Sequence, residues 1–382
     1  MMNQGKVSVL AAASYDEILL DKVIAQHMEN LDFARLVKPE SKVLLKPNLL
    51  MKRQPDQATT THPALLGAVI RWLKAAGVVD ITIADSPGGP YTASVLEGVY
   101  RGCGIAEAAE RYGAKLNTAT GWSRVDCPEG ETCKSFGIID PVREADLIIN
   151  LPKLKTHGMM QLSAGVKNLF GAVPGLQKPE LHFQFPEQKR FASMLVDLCE
   201  VVKPTLTILD GIVSMEGDGP SSGIPKATGI TFASEDVYAL DLAAMDYIDM
   251  PLEVAFTVAE AVTRGLCPTS VEKLIYLGEG RPEKNPFVLP TSRPLNFAER
   301  MPGFLSKPAG AFAKRFLSPR PVVEKAKCIG CGKCEESCAP KAIRVTNRKA
   351  AIHYRDCIRC FCCHEMCPVR AIDIRRFSLL SH

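Results

Sequence analysis

The sequence predicts an α/β protein with a mostly parallel sheet and flanking helices, joined to a small α+β domain at the C-terminus. Three observations predict this arrangement. Short apolar runs alternate with helix-like segments through residues 1–279, prolines are dense in residues 280–320, and nine of the 14 cysteines lie in residues 321–382. Alternating strands and helices are typical of βαβ units, which build parallel sheets.

The first region contains five segments with the composition of buried strands, because they are short, apolar and often β-branched. These are Val7–Ala13, Val43–Lys46, Ile81–Asp85, Leu147–Asn150 and Leu206–Asp210. Helix signals lie between them. Ser14–Glu17 has capping-box spacing, and Thr61–Pro63 opens a helix that we expect to run to Gly77. The pattern therefore predicts a sheet covered by helices.

Residues 280–320 are predicted to be a linker, because proline at this density blocks long helices and sheet ladders. Phenylalanine and leucine mix with lysine and arginine over residues 304–317. That mixture could be a basic amphipathic element that touches a membrane or a partner. Packing against the main domain is the interpretation that we prefer.

The overall composition excludes several classes of protein. Hydrophobic residues make up 46% and charged residues 23% of the chain, a balance typical of soluble globular proteins. A net charge of +4 is too small to indicate nucleic-acid binding. The sequence has no run of 18 apolar residues, so we expect no transmembrane span. Many cysteines without a secretion signal favour a reducing cytoplasm.

The cysteines of the last region form two copies of one spacing, Cys-x2-Cys-x2-Cys-x3-Cys, with an offset of 29 residues. In this pattern three thiolates of a tight loop bind one iron–sulfur cubane, and the fourth cysteine binds the other cubane. The first cluster is predicted to bind Cys328, Cys331, Cys334 and Cys367. The second is predicted to bind Cys357, Cys360, Cys363 and Cys338. A pair of four-cysteine zinc sites is the alternative, which the doubled pattern disfavours.

The segment from about residue 320 to about residue 377 resembles a bacterial two-cluster ferredoxin module. This resemblance implies two 4Fe–4S clusters and single-electron transfer. The sequence departs from the module at Cys338-Ala339-Pro340, where Cys-Pro is usual. Basic residues exceed acidic ones by five from Cys328 to the C-terminus, whereas the rest of the chain carries −1. We interpret the excess as compensation for negative clusters, or as a docking surface for an acidic redox partner protein.

Two further residues lie inside the second cysteine loop. Cys362 is a ninth cysteine next to Cys363, and we expect a bystander, with a substitute cluster ligand as the alternative. His364 could tune a cluster by hydrogen bonding, but a surface histidine is the preferred interpretation.

Polar segments follow several of the predicted strands in the first region. Ligands of open parallel sheets bind outside the carboxyl ends of the strands, so these segments are expected to share one cleft. Its lysines suit carboxylate or phosphate groups, and we therefore expect a small anionic ligand. The expected ligand-binding residues are Lys46, Asn48, Lys153, Lys167, Asn168, Glu216 and Asp218. The expected catalytic residues are His157, His182 and Lys155, and the same cleft also offers Lys178 and His62.

These residues also have plainer interpretations. A single lysine is usually a solvated surface residue, and a single histidine is usually a hydrogen-bonded structural residue. If two histidines converge, proton transfer or metal binding becomes credible. The glycines around Asp218 lack the spacing of a dinucleotide fingerprint, and no nucleotide-triphosphate loop is present.

Four segments together resemble the family called domain of unknown function 362, over about residues 40–250. They are Lys46–Asn48, Lys153–His157, Gly165–Gly171 and Asp210–Pro220. The resemblance implies an iron–sulfur protein of anaerobic or redox metabolism, often with a ferredoxin tail. The resemblance does not say which reaction the protein catalyses, nor whether it binds a further organic or metal cofactor. A remote similarity to the nickel-pincer racemases supplies no catalytic residues.

The sequence leaves three functions open. The first is an iron–sulfur oxidoreductase whose clusters exchange electrons with an anionic substrate or cofactor in the Lys/His cleft. The second is an electron carrier or docking protein without chemistry of its own. The third is a factor for the maturation of a cofactor or metal centre. A deep pocket beside a cluster site would favour the first function, which is the one we expect.

Overall fold

The computed structural model describes residues 5–293 and 318–376. Its strands are β1 (Lys6–Ala11), β2 (Val43–Pro47), β3 (Ile81–Ile83), β4 (Lys115–Leu116), β5 (Trp122–Asp126), β6 (Ser135–Ile139), β7 (Leu147–Leu151), β8 (Lys153–His157), β9 (Gln161–Ser163), β10 (Leu206–Glu216), β11 (Ile224–Ser234), β12 (Ile275–Gly278), β13 (Arg320–Val323), β14 (Ile343–Thr346), β15 (Lys349–Ile352) and β16 (Ile372–Arg375). Its α-helices are α1 (Glu17–Asn30), α2 (Pro63–Ala75), α3 (Ala93–Gly102), α4 (Ile105–Tyr112), α5 (Asp140–Glu144), α6 (Gly165–Asn168), α7 (Gln177–Gln184), α8 (Gln188–Val202), α9 (Val237–Tyr247), α10 (Phe256–Thr263), α11 (Lys333–Glu336) and α12 (Cys362–Glu365). The predicted α/β class is confirmed.

One sheet of ten strands forms the centre of the α/β domain in the described part of the chain. Its order is β12-β1-β11-β10-β7-β2-β3-β4, and β8 pairs with β10 and with β9. Six of its nine strand pairs are parallel, so the prediction of a mostly parallel sheet is confirmed. Each antiparallel pair includes β9 or β11.

Helices cover both faces of this sheet, because its central strands are apolar on both sides. Leu44 and Leu45 of β2 belong to different hydrophobic cores, as expected for neighbouring residues of a strand. Helices α1 and α2 contribute to the core that contains Leu45, and α8 and α9 contribute to the core that contains Leu44. Burial on both faces explains why the strands read as continuous apolar runs in the sequence.

Two segments near the carboxyl edge of the sheet differ from the sequence-based expectation. The polar segment Lys153–His157 forms the buried strand β8, which pairs with β10 and β9. Strand β10 does not end at Asp210 but runs to Glu216, with a register irregularity between Gly211 and Val213. Both extensions depend on pairing with distant strands, which local composition does not reveal.

The helix starts follow the sequence signals with one change. Asp16, rather than Ser14, is the N-cap of α1, because its Oδ1 accepts the N–H of Leu19 at 2.9 Å. His62 is the N-cap of α2, which ends shortly before Gly77 as expected.

The C-terminal domain consists of two antiparallel strand pairs, β13–β16 and β14–β15, together with α11 and α12. Its hydrophobic centre contains four of the predicted cluster ligands among small and aliphatic residues. They are Cys334, Cys338, Cys363 and Cys367. The predicted small α+β domain is therefore confirmed.

The first part of the predicted linker lies along the α/β domain. The N–H of Asn285 donates to Tyr247 O at 2.7 Å, the N–H of Phe287 donates to Ile248 O at 3.1 Å, and the Phe287 side chain is buried. The predicted amphipathic element at 304–317 lies outside the described residues. Within the described ranges, no helix combines the length and apolar character needed to cross a bilayer.

Candidate functional site

Four cysteines of the C-terminal domain line one small cavity. They are Cys328, Cys331, Cys334 and Cys367, the set that the spacing assigns to the first cluster. Burial raises the pKa of Cys334 to about 11, and the other three thiols are close enough to add to that rise. The remaining lining is apolar, so the donor set fits an iron–sulfur cluster.

The second predicted set of cysteines also comes together. Burial raises the pKa of Cys357, and the thiols of Cys360 and Cys338 add to that rise. Cys363 interacts with the same three cysteines. Among the described residues, no three His, Cys, Asp or Glu side chains are placed to hold a single metal ion. In a cubane each thiolate binds a different iron atom, so its four thiolates do not have to share one ion.

The two halves of the sequence duplication make equivalent contacts with their last cysteines. The N–H of Ala342 donates to Cys338 Sγ at 3.2 Å, and the N–H of Ala371 donates to Cys367 Sγ at 3.1 Å. Hydrogen bonds to ligand sulfur are one of the means by which proteins set the potential of a cluster. The sequence repeat is therefore also a structural repeat.

A second cavity, called here the interdomain cavity, lies between the carboxyl edge of the large sheet and helix α12. Its volume is about 90 Å³, which is room for a small ion or molecule. The α/β domain contributes the polar and charged residues Asn48, Asp85, Ser86, Lys155, His157, Ser163, Lys167, Asn168, Lys178 and His182. The C-terminal domain contributes Ser337, Cys362, Glu365 and Met366.

Lys155 enters the cavity from β8 with only neutral hydrogen-bond partners. Its Nζ donates to Asn48 Oδ1 at 2.7 Å and to Thr59 O at 2.6 Å. Burial, together with the charge of Lys167, lowers the pKa of Lys155 to about 7. Lys155 therefore changes its charge near neutral pH.

Two more lysines reach the interdomain cavity. Lys178 Nζ donates to Ser86 Oγ at 2.9 Å, and burial lowers its pKa to about 7. Lys167 Nζ lies 4.6 Å from the centre of the Phe170 ring, and burial lowers its pKa as well. Within the described ranges, the Lys167 ammonium has no hydrogen bond and no ion pair. It is therefore well placed to bind a ligand.

His157 is buried in the cavity wall with a fixed ring orientation. Its Nδ1 accepts the N–H groups of Met159 and Met160, at 3.1 and 3.3 Å. The proton of the neutral ring is therefore on Nε2, which lies 3.4 Å from Glu365 Oε1. Burial lowers the pKa of His157 well below its ordinary value, so the ring is neutral at neutral pH.

His182 lines the same cavity between two aromatic rings. It stacks on Phe191 with ring centres 4.2 Å apart and meets the edge of Phe170 at 5.7 Å. Burial lowers its pKa well below the ordinary value. Its Nδ1 is buried and has no hydrogen-bond partner among the described residues. A bound ligand can supply that partner.

Lys46 and Asn168 support the cavity through bonds that are already satisfied. Lys46 is fully buried, and its Nζ lies 2.7 Å from Asp85 Oδ1. Asn168 Nδ2 donates to Asn150 Oδ1 at 2.8 Å, and its Oδ1 accepts from Asn48 Nδ2 at 2.9 Å. These two residues therefore position cavity residues rather than offering free groups to a ligand.

Lys153 lies outside the interdomain cavity, although the sequence predicts it in the same cleft. Its Nζ is 2.5 Å from Asp210 Oδ2 and 2.8 Å from Tyr15 OH. Tyr15 donates to Asp210 Oδ1 at 2.7 Å, and its ring stacks on His62 at 3.6 Å. The carboxylate of Asp210 thus holds Lys153 and His62 in a separate buried cluster.

Glu216 and Asp218 also lie outside the cavity, because their carboxylates bind other parts of the chain. Glu216 Oε2 accepts from Lys226 Nζ at 3.1 Å. Asp218 Oδ1 accepts the N–H of Thr291 at 2.7 Å, and its carbonyl oxygen lies 3.1 Å from His364 Nε2. Their contacts are structural.

The C-terminal domain docks next to the cavity through several hydrogen bonds to backbone carbonyls. Ser221 Oγ donates to Glu365 O at 2.8 Å. His364 is buried instead of lying on the surface: its Nδ1 contacts Ile372 O within the C-terminal domain, and its Nε2 lies 3.1 Å from Asp218 O of the α/β domain. The contacts of Ser221 and Asp218 cross between the two domains. These contacts hold α12 against the α/β domain.

Cys362 and Glu365 are among the cavity residues that were not predicted as site residues from the sequence. Cys362 lies at the position that Lys333 has in the first repeat, and this difference was the available signal. Glu365 has an equivalent glutamate, Glu336, in the first repeat, so nothing in the sequence distinguishes it. Its role depends on how the C-terminal domain docks.

Comparison with known families agrees with this architecture. Residues 320–368 match a 4Fe–4S dicluster domain, which supports iron–sulfur clusters in the C-terminal domain. The fold and this match define an α/β protein with a ferredoxin-like iron–sulfur domain. Residues 43–246 match the domain of unknown function (DUF362), and the chain belongs to that family. Both resemblances noted in the sequence are therefore confirmed.

Individual proteins similar to this chain include one curated relative and two solved structures. A thylakoid-associated protein of Synechocystis sp. is 33% identical over 277 residues, which are 72% of this chain and 84% of that protein. A Thermotoga maritima protein is 14% identical with a TM-score of 0.34, over 58% of this chain and 56% of its own. The lactate racemase apoprotein from Thermoanaerobacterium thermosaccharolyticum is 15% identical with a TM-score of 0.38, over 65% of this chain and 57% of its own.

Proposed function

We propose that this protein is an iron–sulfur redox protein that binds a small anion in the interdomain cavity and exchanges single electrons with it. The observation that carries the proposal is the position of α12. Cys363 of this helix is a predicted ligand of the second cluster, and the adjacent Cys362 lines the cavity. Consecutive residues of one short helix thus belong to the predicted cluster site and to the ligand site.

The charges of the cavity favour an anion as the ligand. Three lysines and two carboxylates line it. One carboxylate, that of Asp85, is paired with Lys46, so the three ammonium groups face a single further carboxylate, that of Glu365. Buried charges are stable only when they are paired, and a carboxylate or phosphate group on the ligand supplies that pairing.

The cysteine sets named above would hold two 4Fe–4S clusters, which accept or release one electron each when bound. The side chains of the cavity do the remaining work. Lys167 binds the anion, and Lys155 and Lys178 adjust to its charge because they take up protons near pH 7. The neutral His157 ring keeps its proton at Nε2, facing Glu365, and can donate a hydrogen bond there. Lys155 and Lys178, whose pKa values are lowered to about 7, can give a proton to a ligand that gains an electron or take one from a ligand that loses an electron.

The test begins with protein purified without oxygen. Iron and sulfide analysis and EPR spectra after reduction count the clusters. Calorimetric titrations with oxalate and with inorganic phosphate, at pH 6.5, then measure anion binding and distinguish the two ligand chemistries. We expect two reducible clusters and binding of at least one of these anions.

The matched variants are Lys167→Met in the cavity and Lys189→Met, which removes an exposed lysine of α8. Lys167→Met is expected to lose anion binding, and Lys189→Met is expected to keep it. Two clusters with no binding of either anion would support the carrier alternative instead. Zinc in place of iron and sulfide would refute the redox assignment as a whole.

A further inference from the structure

One arginine of the α/β domain reaches the loop that ends at Cys367. Arg53 lies in the segment after β2, and its Nη1 donates to Pro368 O at 3.0 Å. Its Nη2 donates to Cys367 O at 3.2 Å. The third guanidinium nitrogen, Nε, is buried and has no hydrogen-bond partner in the described part of the chain. The guanidinium is therefore fixed at a predicted cluster ligand and keeps an unused donor there.

The electrostatic surroundings place this charge beside the cysteine sulfur. Burial and the nearby Arg370 lower the pKa of Arg53, and the Cys367 thiol opposes that shift. An arginine side chain stays protonated in proteins under such conditions. The junction between the domains thus holds a fixed positive charge next to the first predicted cluster site.

Arg53 breaks the symmetry of the internal repeat. Both halves supply the same backbone N–H to the sulfur of their last cysteine, with similar distances. Only the second half receives a guanidinium from the α/β domain. Within residues 5–293, no side chain donates to the equivalent carbonyls of Cys338 and Ala339. The first cluster site therefore has a charged contact from the α/β domain that the repeat itself does not supply.

We infer that Arg53 raises the reduction potential of the cluster that Cys328, Cys331, Cys334 and Cys367 would hold. The inference rests on the proposed function, because it requires both clusters. Reduction adds one negative charge to a cluster, and a fixed positive charge nearby stabilises the reduced form. The effect is larger at a partly buried junction than on the surface, because solvent screens it less.

The Arg53 contact also affects the interdomain cavity. If the Arg53 contact favours the reduced cluster, reduction must in turn strengthen the contact between the domains, since thermodynamic coupling is reciprocal. The same junction holds α12 at the cavity. Electron uptake by the first cluster therefore stabilises the docked state in which the ligand site is complete.

The experiment is an EPR-monitored redox titration of the anaerobically purified full-length protein. Arg53→Gln removes the charge and keeps hydrogen-bond donors. It is expected to reduce the equilibrium constant for reduction of one cluster about tenfold, which corresponds to ~59 mV for one electron. Arg53→Lys keeps the charge and is expected to restore most of the wild-type potential.

Arg348→Gln is the control, because it removes an exposed arginine from the C-terminal domain, which contains the predicted cluster ligands. The equilibrium constants for reduction of its clusters are expected to stay within about twofold of the wild-type values, since solvent screens exposed charges. Equal potentials in Arg53→Gln and Arg348→Gln, with both clusters intact, would overturn the inference. If Arg53→Gln does not retain its clusters, Arg53→Lys decides: a wild-type potential supports the inference and a tenfold change overturns it. Wild-type protein without two clusters would refute the proposed function itself.

Discussion

Lys153 and Lys155 are neighbours on the same face of β8, both are buried, and yet their surroundings are opposite. The Lys153 ammonium lies 2.5 Å from the carboxylate of Asp210. The Lys155 ammonium has only the neutral oxygens of Asn48 and Thr59, and its pKa is lowered to about 7. A buried lysine that pairs with a carboxylate forms a structural ion pair. The charge of a buried lysine without a carboxylate partner can instead be balanced by a bound anion.

The same distinction separates the other lysines of the predicted cleft. Lys46 has the buried carboxylate of Asp85, whereas Lys167 and Lys178 have no carboxylate partner within the described ranges. The cleft predicted from the sequence is therefore two sites. One is a set of satisfied ion pairs in the sheet, and the other is a cavity with uncompensated positive charge.

The largest difference is expected in stability. Lys153→Met should lower the free energy of unfolding by about 3–5 kcal/mol, because it leaves the buried Asp210 carboxylate unpaired. Lys155→Met should cost only about 1–2 kcal/mol, because it leaves neutral acceptors without a donor. Urea denaturation at pH 8 measures both values. Equal costs would remove the distinction between the two lysines.

The second effect concerns anion binding. Lys167→Met should weaken the binding of oxalate or phosphate ten- to a hundredfold, about 1.4–2.8 kcal/mol, because it removes the ammonium that has no protein partner. The binding constants come from the calorimetric titrations described above. Lys189→Met provides the baseline, and a loss of the same size in that variant would show that the effect is not specific to the cavity.

The pH dependence should sharpen the comparison further. Lys155 and Lys178 are charged below about pH 7 and neutral above it, because burial lowers their pKa. Affinity for oxalate, which is a dianion throughout this range, should therefore fall about tenfold or more between pH 6 and pH 8.5. Lys155→Met should flatten this dependence. An affinity that rises with pH in the wild-type protein would contradict the assignment of these lysines.

The smallest effect is expected at Glu216, which the sequence predicts as a ligand-binding residue. Its carboxylate pairs with Lys226 outside the cavity, and both side chains are partly exposed. Glu216→Gln should change stability by no more than about 1 kcal/mol and leave oxalate affinity unchanged. A clear loss of affinity in this variant would place the ligand site elsewhere.

The parts of the molecule that the sequence predicts well are those with local signals. Apolar β-branched runs such as Val43–Lys46 predict the parallel sheet, and the cysteine spacing predicts which thiols lie together. His157 and Lys167 were predicted because polar residues at strand ends share one edge of the sheet. The family resemblance added that an iron–sulfur protein was to be expected.

The parts that the sequence does not predict depend on distant partners. From the sequence, Lys46 and Lys153 are predicted to bind a ligand. In the fold, however, Asp85 from the loop after β3 pairs with Lys46, and Asp210 of β10 pairs with Lys153. Glu365 lies in a different domain from the lysines that it faces. Its contact with the cavity depends on docking, for which a single sequence has no local pattern.

The most direct measurement of the central claim is a redox titration of the reduced protein with and without oxalate at pH 6.5. If the anion binds beside the cluster sites, its negative charge should lower the reduction potential of at least one cluster in wild-type protein. The shift should be absent in Lys167→Met and present in Lys189→Met. Unchanged potentials in wild-type protein that holds two clusters and is saturated with oxalate would contradict the account.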